Sequence, residues 1–136
     1  MDPRINTHIG RYLIQSVLGT GGMSVVYQAF DEQLKRQVAL KLLHHHLLEN
    51  IEARKRIQRE AHAVASLHHK AIVAIYDYSG DSANDLYIVS EFVHGESLAQ
   101  WLEKHPLMHP ECALLVLSPI VAALQHAHSR GIFTAT

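Results

Sequence analysis

Two residues stand where chemistry is the best reason for them: a lysine in an apolar strand and a carboxylate in the apolar stripe of a helix. In VALK, residues 38–41, period-two alternation puts Ala39 and Lys41 on one face and Val38, Leu40 and Leu42 on the other. An unpaired ammonium is costly to bury, so Lys41 needs a partner. Further along, ENIEARKRIQREAHAVASLHH carries Ile57, Ala61, Val64 and Leu67 at helical spacing. On a helical wheel Glu60 falls between Ile57 and Leu67, inside that stripe, and Lys41 is the candidate cation. Upstream of both, LGTGGMSVVYQAF (18–30) gathers Gly19, Gly21 and Gly22 ahead of an apolar, β-branched stretch. A loop without side chains lets backbone amides come close to a large anion.

Three phosphate-binding loops compete for these glycines. A Walker-type loop ends in Gly-Lys-Ser/Thr, and GGMS offers no lysine there. A dinucleotide fingerprint opens a helix after its last glycine, whereas VVYQAF is strand-like. The third is a glycine-rich hairpin lying over a triphosphate, with a lysine on the next strand, and that one fits. On the loop alone, an ordinary hairpin with a flexible turn serves as well. Lys41 on the following strand and Glu60 on the helix favour the phosphate reading.

The elements that must position these residues follow from pattern. RYLIQSVLG, SVVYQAF and RQVALKLL read as strands joined by the glycine turn and the polar link DEQLKR. The Glu60 helix comes next. Then AIVAIYDYSG and DLYIVSEFV read as two more strands separated by GDSAND. From His94 the pattern is helical only: SLAQWLEKH, then PECALLVLSPIVAALQHAHSRG with Pro110 in its first turn. The expectation is an α+β chain: a five-stranded antiparallel sheet with one helix, followed by the opening of a helical region. Pro119 in mid-helix predicts a kink, since a proline there costs ~3 kcal/mol.

Composition bounds the rest. The 136 residues are 48% hydrophobic and 18% charged, which is globular rather than disordered. A formal charge of -1 gives no case for a nucleic-acid or acidic-membrane partner. One cysteine, Cys112, excludes an internal disulfide and favours a cytoplasmic setting. MDPRINTHIG has no apolar core to serve as a signal peptide. Ala113 to Leu124 is interrupted by Ser118 and Pro119 and reads as too short to span a bilayer, so no membrane segment is expected. The 12 histidines lack metal-ligand spacing: His44, His45 and His46 point alternately if extended, and no metal site is expected in this chain. Arg54, Lys55, Arg56 and Arg59 read as a solvated helix face, Cys112 as an apolar filler and Trp101 as an anchor to the core.

Leu18-Gly19-Thr20-Gly21-Gly22-Met23-Ser24-Val25-Val26-Tyr27, followed by Val38-Ala39-Leu40-Lys41, resembles the ATP-binding signature of Hanks-type (eukaryotic-like) serine/threonine protein kinases, and GGMSVVY resembles their bacterial branch. REAHAVASLHHKAIVAIYDY is similar to the family's C-helix and following strand. LYIVSEFVHGESL resembles its hinge, and HSRGI the segment before its catalytic loop. The resemblance implies an N-terminal tail at 1–9, a kinase N-lobe at 10–93 and the start of the helical C-lobe at 94–136. It implies that Leu18 and Val26 clamp an adenine ring and that Ala39 lines the same site. Gly19, Thr20, Gly21, Gly22, Met23 and Ser24 would cover the phosphates with backbone amides, and Lys41, held by Glu60, would pair with the α- and β-phosphates. Ser90 falls at the gatekeeper, and the backbones of Glu91 and Val93 would meet the adenine edge. Ser24 replaces the third glycine of the signature and stiffens the loop.

The implied reaction is transfer of the γ-phosphoryl group of ATP to a protein hydroxyl, with Mg²⁺ whose ligands would lie outside this chain. A nucleotide-binding pseudokinase or regulatory module without turnover is the alternative, and a truncated product with no stable function is a third. The family's His-Arg-Asp would follow HSRGI after one apolar residue, and the chain instead reads Ile132-Phe133-Thr134-Ala135-Thr136. Ile-Phe-His-Arg-Asp can be encoded ATT TTT CAC CGC GAC; loss of one T reads ATT TTC ACC GCG AC, Ile-Phe-Thr-Ala-Thr. A one-base frameshift is therefore expected, checked by whether the shifted frame continues with Lys-Pro-x-Asn and then Asp-Phe-Gly.

Overall fold

The structure, a computed structural model, describes residues 1–80 and 84–133, so the expectations placed on the GDSAND turn at 81–83 and on Thr134, Ala135 and Thr136 lie outside the described residues. The chain divides into two compact units: Met1–Ser66 with Ala74–Phe92, and Leu67–Val73 with the chain from Val93 onward.

The first unit is an antiparallel sheet with one helix. Its strands are β1 (His8–Ile9), β2 (Tyr12–Thr20), β3 (Ser24–Asp31), β4 (Arg36–Leu43), β5 (Ile75–Tyr78) and β6 (Tyr87–Glu91), in the order β1-β2-β3-β4-β6-β5. Helix α1 (Ile51–Ala65) follows a 3₁₀ turn at His45–Leu47. Alternation on β4 is as expected: Val38, Leu40 and Leu42 are buried on one face, in a core with Ile14, Tyr27 and Val89. The other face carries Ala39, Lys41 and Leu43, and Leu43 joins Ile88 and Leu86 beneath α1.

The structure adds to three expectations. The sheet has a sixth strand: His8 and Ile9 pair with Leu13 and Tyr12 around a turn at Gly10. Glycine is required there twice over, by a φ of +58° and because a Cβ would come within 2.9 Å of the Tyr87 hydroxyl. Residues 1–9 are tied to the sheet by side chains as well: the Tyr27 hydroxyl donates to Asp2 at 3.0 Å and Arg4 meets Asp85 at 3.0 Å. Helix α1 buries Ile57 and Ala61 of the expected stripe and extends that row one turn earlier, to Ala53, while Val64 is only half-buried. Asn50 sets this register, its side chain accepting from the Ala53 N–H.

Burial and the bond to Asp2 push the Tyr27 phenol up to about 12. A phenol that stays protonated longer in the folded than in the unfolded chain adds stability that is complete below the ordinary tyrosine value of ~10 and is lost as pH rises toward the folded one. Melts between pH 9 and 11.5 should therefore show stability flat at first and then falling by about 1.4 kcal/mol per pH unit for this tyrosine. Tyr27→Phe should shallow that slope, and an unchanged slope would refute the assignment.

In the second unit, α2 (Leu98–Lys104) starts at a capping box of Ser97 and Gln100, and α3 spans Pro110–Ser129. The helix continues through Pro119. Pro119 and Leu115, whose carbonyl loses its helical donor, are both exposed, so water can take the bond. Trp101 stacks on His105 at 4.3 Å within a helix that buries no residue, and Cys112 is exposed; neither serves as core. One helix bears on the membrane expectation. By length and composition α3 is apolar enough to cross a bilayer. A core helix of a soluble protein passes the same length and composition.

Candidate functional site

The β2–β3 hairpin carries the glycine loop. Its tip closes through the Gly21 N–H donating to the Ser24 carbonyl at 2.8 Å, and β2 is irregular between Val17 and Gly19. None of Gly19, Gly21 and Gly22 adopts a positive φ. A Cβ at Gly19 or Gly22 would meet nothing within 4 Å, and one at Gly21 only the Ser24 carbonyl at an ordinary 3.6 Å. The smallness of these three residues is not used by the chain's own packing.

The register places the next residues beside the loop. Val26 lies opposite Gly19 on one side and Lys41 on the other, and Lys41 in turn lies opposite Ile88. Directly opposed residues share a face, so Val26 and Lys41 sit together on the α1 side. Ala39 lies one row along, opposite Ser90. From α1, Glu60 reaches this face: Lys41 Nζ donates to its two carboxylate oxygens at 2.6 and 2.8 Å. Both side chains are part-exposed, 34% and 43%. An ion pair so open to water contributes less than ~1 kcal/mol. Stability is therefore a poor reason for an ammonium in this strand. A small cavity of about 70 Å³ opens beside the pair, lined by Met23, Ser24, Lys41, Leu43, Arg56, Ile57 and Glu60.

The remaining expected residues are placed as follows. Leu18 is half exposed, at 49%, and Thr20 and the loop glycines are exposed. Ser90 is half-buried in β6. The Glu91 N–H donates to the Ala74 carbonyl at 2.9 Å, so it is already taken within the unit. Val93 is exposed and belongs to the second unit.

Sequence reasoning missed the loop's own anchors. His44 Nε2 lies 2.9 Å from the Gly21 carbonyl, and the His44 N–H donates to the Met23 carbonyl at 2.9 Å. Met23 packs against the core under α1, and Arg56 Nη1 reaches its sulfur at 3.1 Å. The methionine in GGMS was the available signal, being an apolar side chain at a turn tip. Among the described residues no group of three or more His, Cys, Asp or Glu side chains could hold a metal ion.

Residues 12–134 match the protein kinase domain family. The chain is 42% identical over 123 residues to serine/threonine-protein kinase PrkC of Bacillus subtilis, covering 90% of this chain and 19% of that protein. It is 38% identical to serine/threonine-protein kinase PksC of Streptomyces coelicolor, covering 90% and 23%. The crystal structure of the PknI kinase domain of Mycobacterium tuberculosis superposes with a TM-score of 0.72 at 27% identity, covering 93% of this chain and 51% of that one. The chain thus spans about a fifth of the length of these curated relatives and half of the solved kinase domain. With a six-stranded antiparallel sheet, one helix packed on it and two further helices in a separate unit, the chain belongs to the protein kinase domain family, alongside bacterial serine/threonine kinases.

Proposed function

We propose that this chain is the ATP-binding portion of a protein serine/threonine kinase. One observation carries the reading: three glycines in and beside a hairpin tip whose lack of side chains neither backbone conformation nor packing requires, with Gly19 in the same cross-strand row as the Lys41 ammonium. An approaching triphosphate uses both. Amides at the tip of the Gly19–Ser24 loop meet its oxygens, and Lys41, oriented by Glu60, neutralises the α- and β-phosphates. Leu18 and Val26 cover the adenine, Ala39 lines its other edge, and Ser90 limits the depth of the site. Glu91 and Val93 offer backbone at the hinge, Glu91 through a group other than its committed N–H. The substrate by family is a protein hydroxyl, and the setting is the cytoplasm. The described residues offer no ligand cluster for Mg²⁺.

Transfer also needs an aspartate to orient the attacking hydroxyl, and these 136 residues contain neither His-Arg-Asp nor Asp-Phe-Gly. By itself the chain therefore binds without turnover, as a nucleotide-binding regulatory module would. Incubated with radiolabelled ATP and a generic basic protein, the 136-residue chain should give background counts. Counts above background that vanish with Lys41→Met would overturn this.

A further inference from the structure

His44 is absorbed by none of the roles above, yet it holds the glycine loop at two points. We propose that His44 is a latch that fixes the conformation of the loop. Its main-chain N–H donates to the Met23 carbonyl and its imidazole Nε2 contacts the Gly21 carbonyl, both at 2.9 Å. A carbonyl oxygen only accepts, so Nε2 carries the proton. A trans peptide points its C=O and N–H in opposite directions. Fastening the Gly21 carbonyl to His44 therefore turns the Gly22 N–H away from His44, where a phosphate oxygen can take it. The Gly21 N–H is already committed to Ser24, so the Gly22 amide is the one this latch presents.

The latch is itself braced. The His44 ring stacks on His46 at 5.5 Å and 17°, and the His44 carbonyl accepts from the Leu47 N–H at 2.9 Å, opening the 3₁₀ turn. His44 thus sits at the joint between the strand carrying Lys41 and the turn leading into the helix carrying Glu60. The consequence for phosphate rests on the nucleotide reading above; the latch itself does not.

Amide hydrogen exchange on the nucleotide-free 136-residue chain separates the two. In His44→Phe, which keeps a ring and loses the donor, exchange in Gly19–Ser24 should rise about fivefold, and His44→Gln, with an amide donor at a similar reach, should restore most of the protection. Affinity for a fluorescent ATP analogue should fall in step. Faster loop exchange with no nucleotide bound by any form supports the latch and removes the nucleotide reading. Unchanged loop exchange in His44→Phe overturns the latch. Should the variants not fold, nitrogen chemical shifts of the wild-type imidazole decide: a protonated Nε2 coupled to the Gly21 carbonyl is expected, and a bare Nε2 would overturn the proposal.

Discussion

Lys41→Met will weaken ATP binding by at least about tenfold while the melting temperature moves only a few degrees. The two halves of this result have different sources. Lys41 and Glu60 are both part-exposed, so breaking their pair costs less than ~1 kcal/mol, and that moves the midpoint of a domain this size by ~4–8 °C at most. Against a triphosphate the same ammonium makes charge-assisted hydrogen bonds, each worth ~1.5–3 kcal/mol, or about one to two powers of ten in affinity. Glu60→Gln should follow with a smaller loss, since Lys41 keeps its charge and loses its orientation. A large stability loss with unchanged ATP affinity would make the pair structural and refute its assignment. Calorimetric titration and thermal melts on the same three proteins supply both numbers.

At tens of micromolar, the 136-residue chain will sediment as species larger than its 15.3 kDa monomer. Helix α3 buries only Ala123 and Ala127, while Leu114, Leu115, Leu117 and Val121 remain 51–76% exposed. Burying one such side chain is worth ~1.5–3 kcal/mol, so several together give association enough energy to compete with its entropic cost. Leu115→Glu with Leu117→Glu should return the chain toward monomer. Both positions are exposed, so the substitutions should leave the fold intact. A wild-type chain that stays monomeric at these concentrations would refute the account of α3.

What the sequence made legible was governed by local period. The β4 face holding Lys41 could be read because alternation over Val38–Leu42 admits one register. In α1 the sequence shows Ile57 and Ala61 but not the start of their row: Ala53 is too small to announce burial, and the cap at Asn50 sets where the row begins. Strand β1 has two residues and exists only because Tyr12 and Leu13 pair with it. The anchoring of Asp2 to Tyr27 and of Arg4 to Asp85 joins residues far apart in the chain, which no periodicity reports. His44 was hidden by its neighbours. Three consecutive histidines look alike in an extended chain, and the 3₁₀ turn at His45–Leu47 breaks that equivalence, with His44 the one that reaches the Gly21 carbonyl. In α3 the sequence shows one long helix interrupted by Ser118 and Pro119, and the helix runs on through Pro119; period alone does not say whether such a helix is covered.

The most direct test of the account is a backbone amide spectrum of the 136-residue chain titrated with ATP. The Gly19–Ser24 amides and those of Val26, Ala39 and Lys41 should shift together and saturate at one dissociation constant, with the Gly22 amide among the largest movers. Adenosine, which lacks phosphates, should leave Gly22 in place. Saturating shifts that avoid the loop and Lys41, or a loop that moves equally with adenosine, would contradict the account.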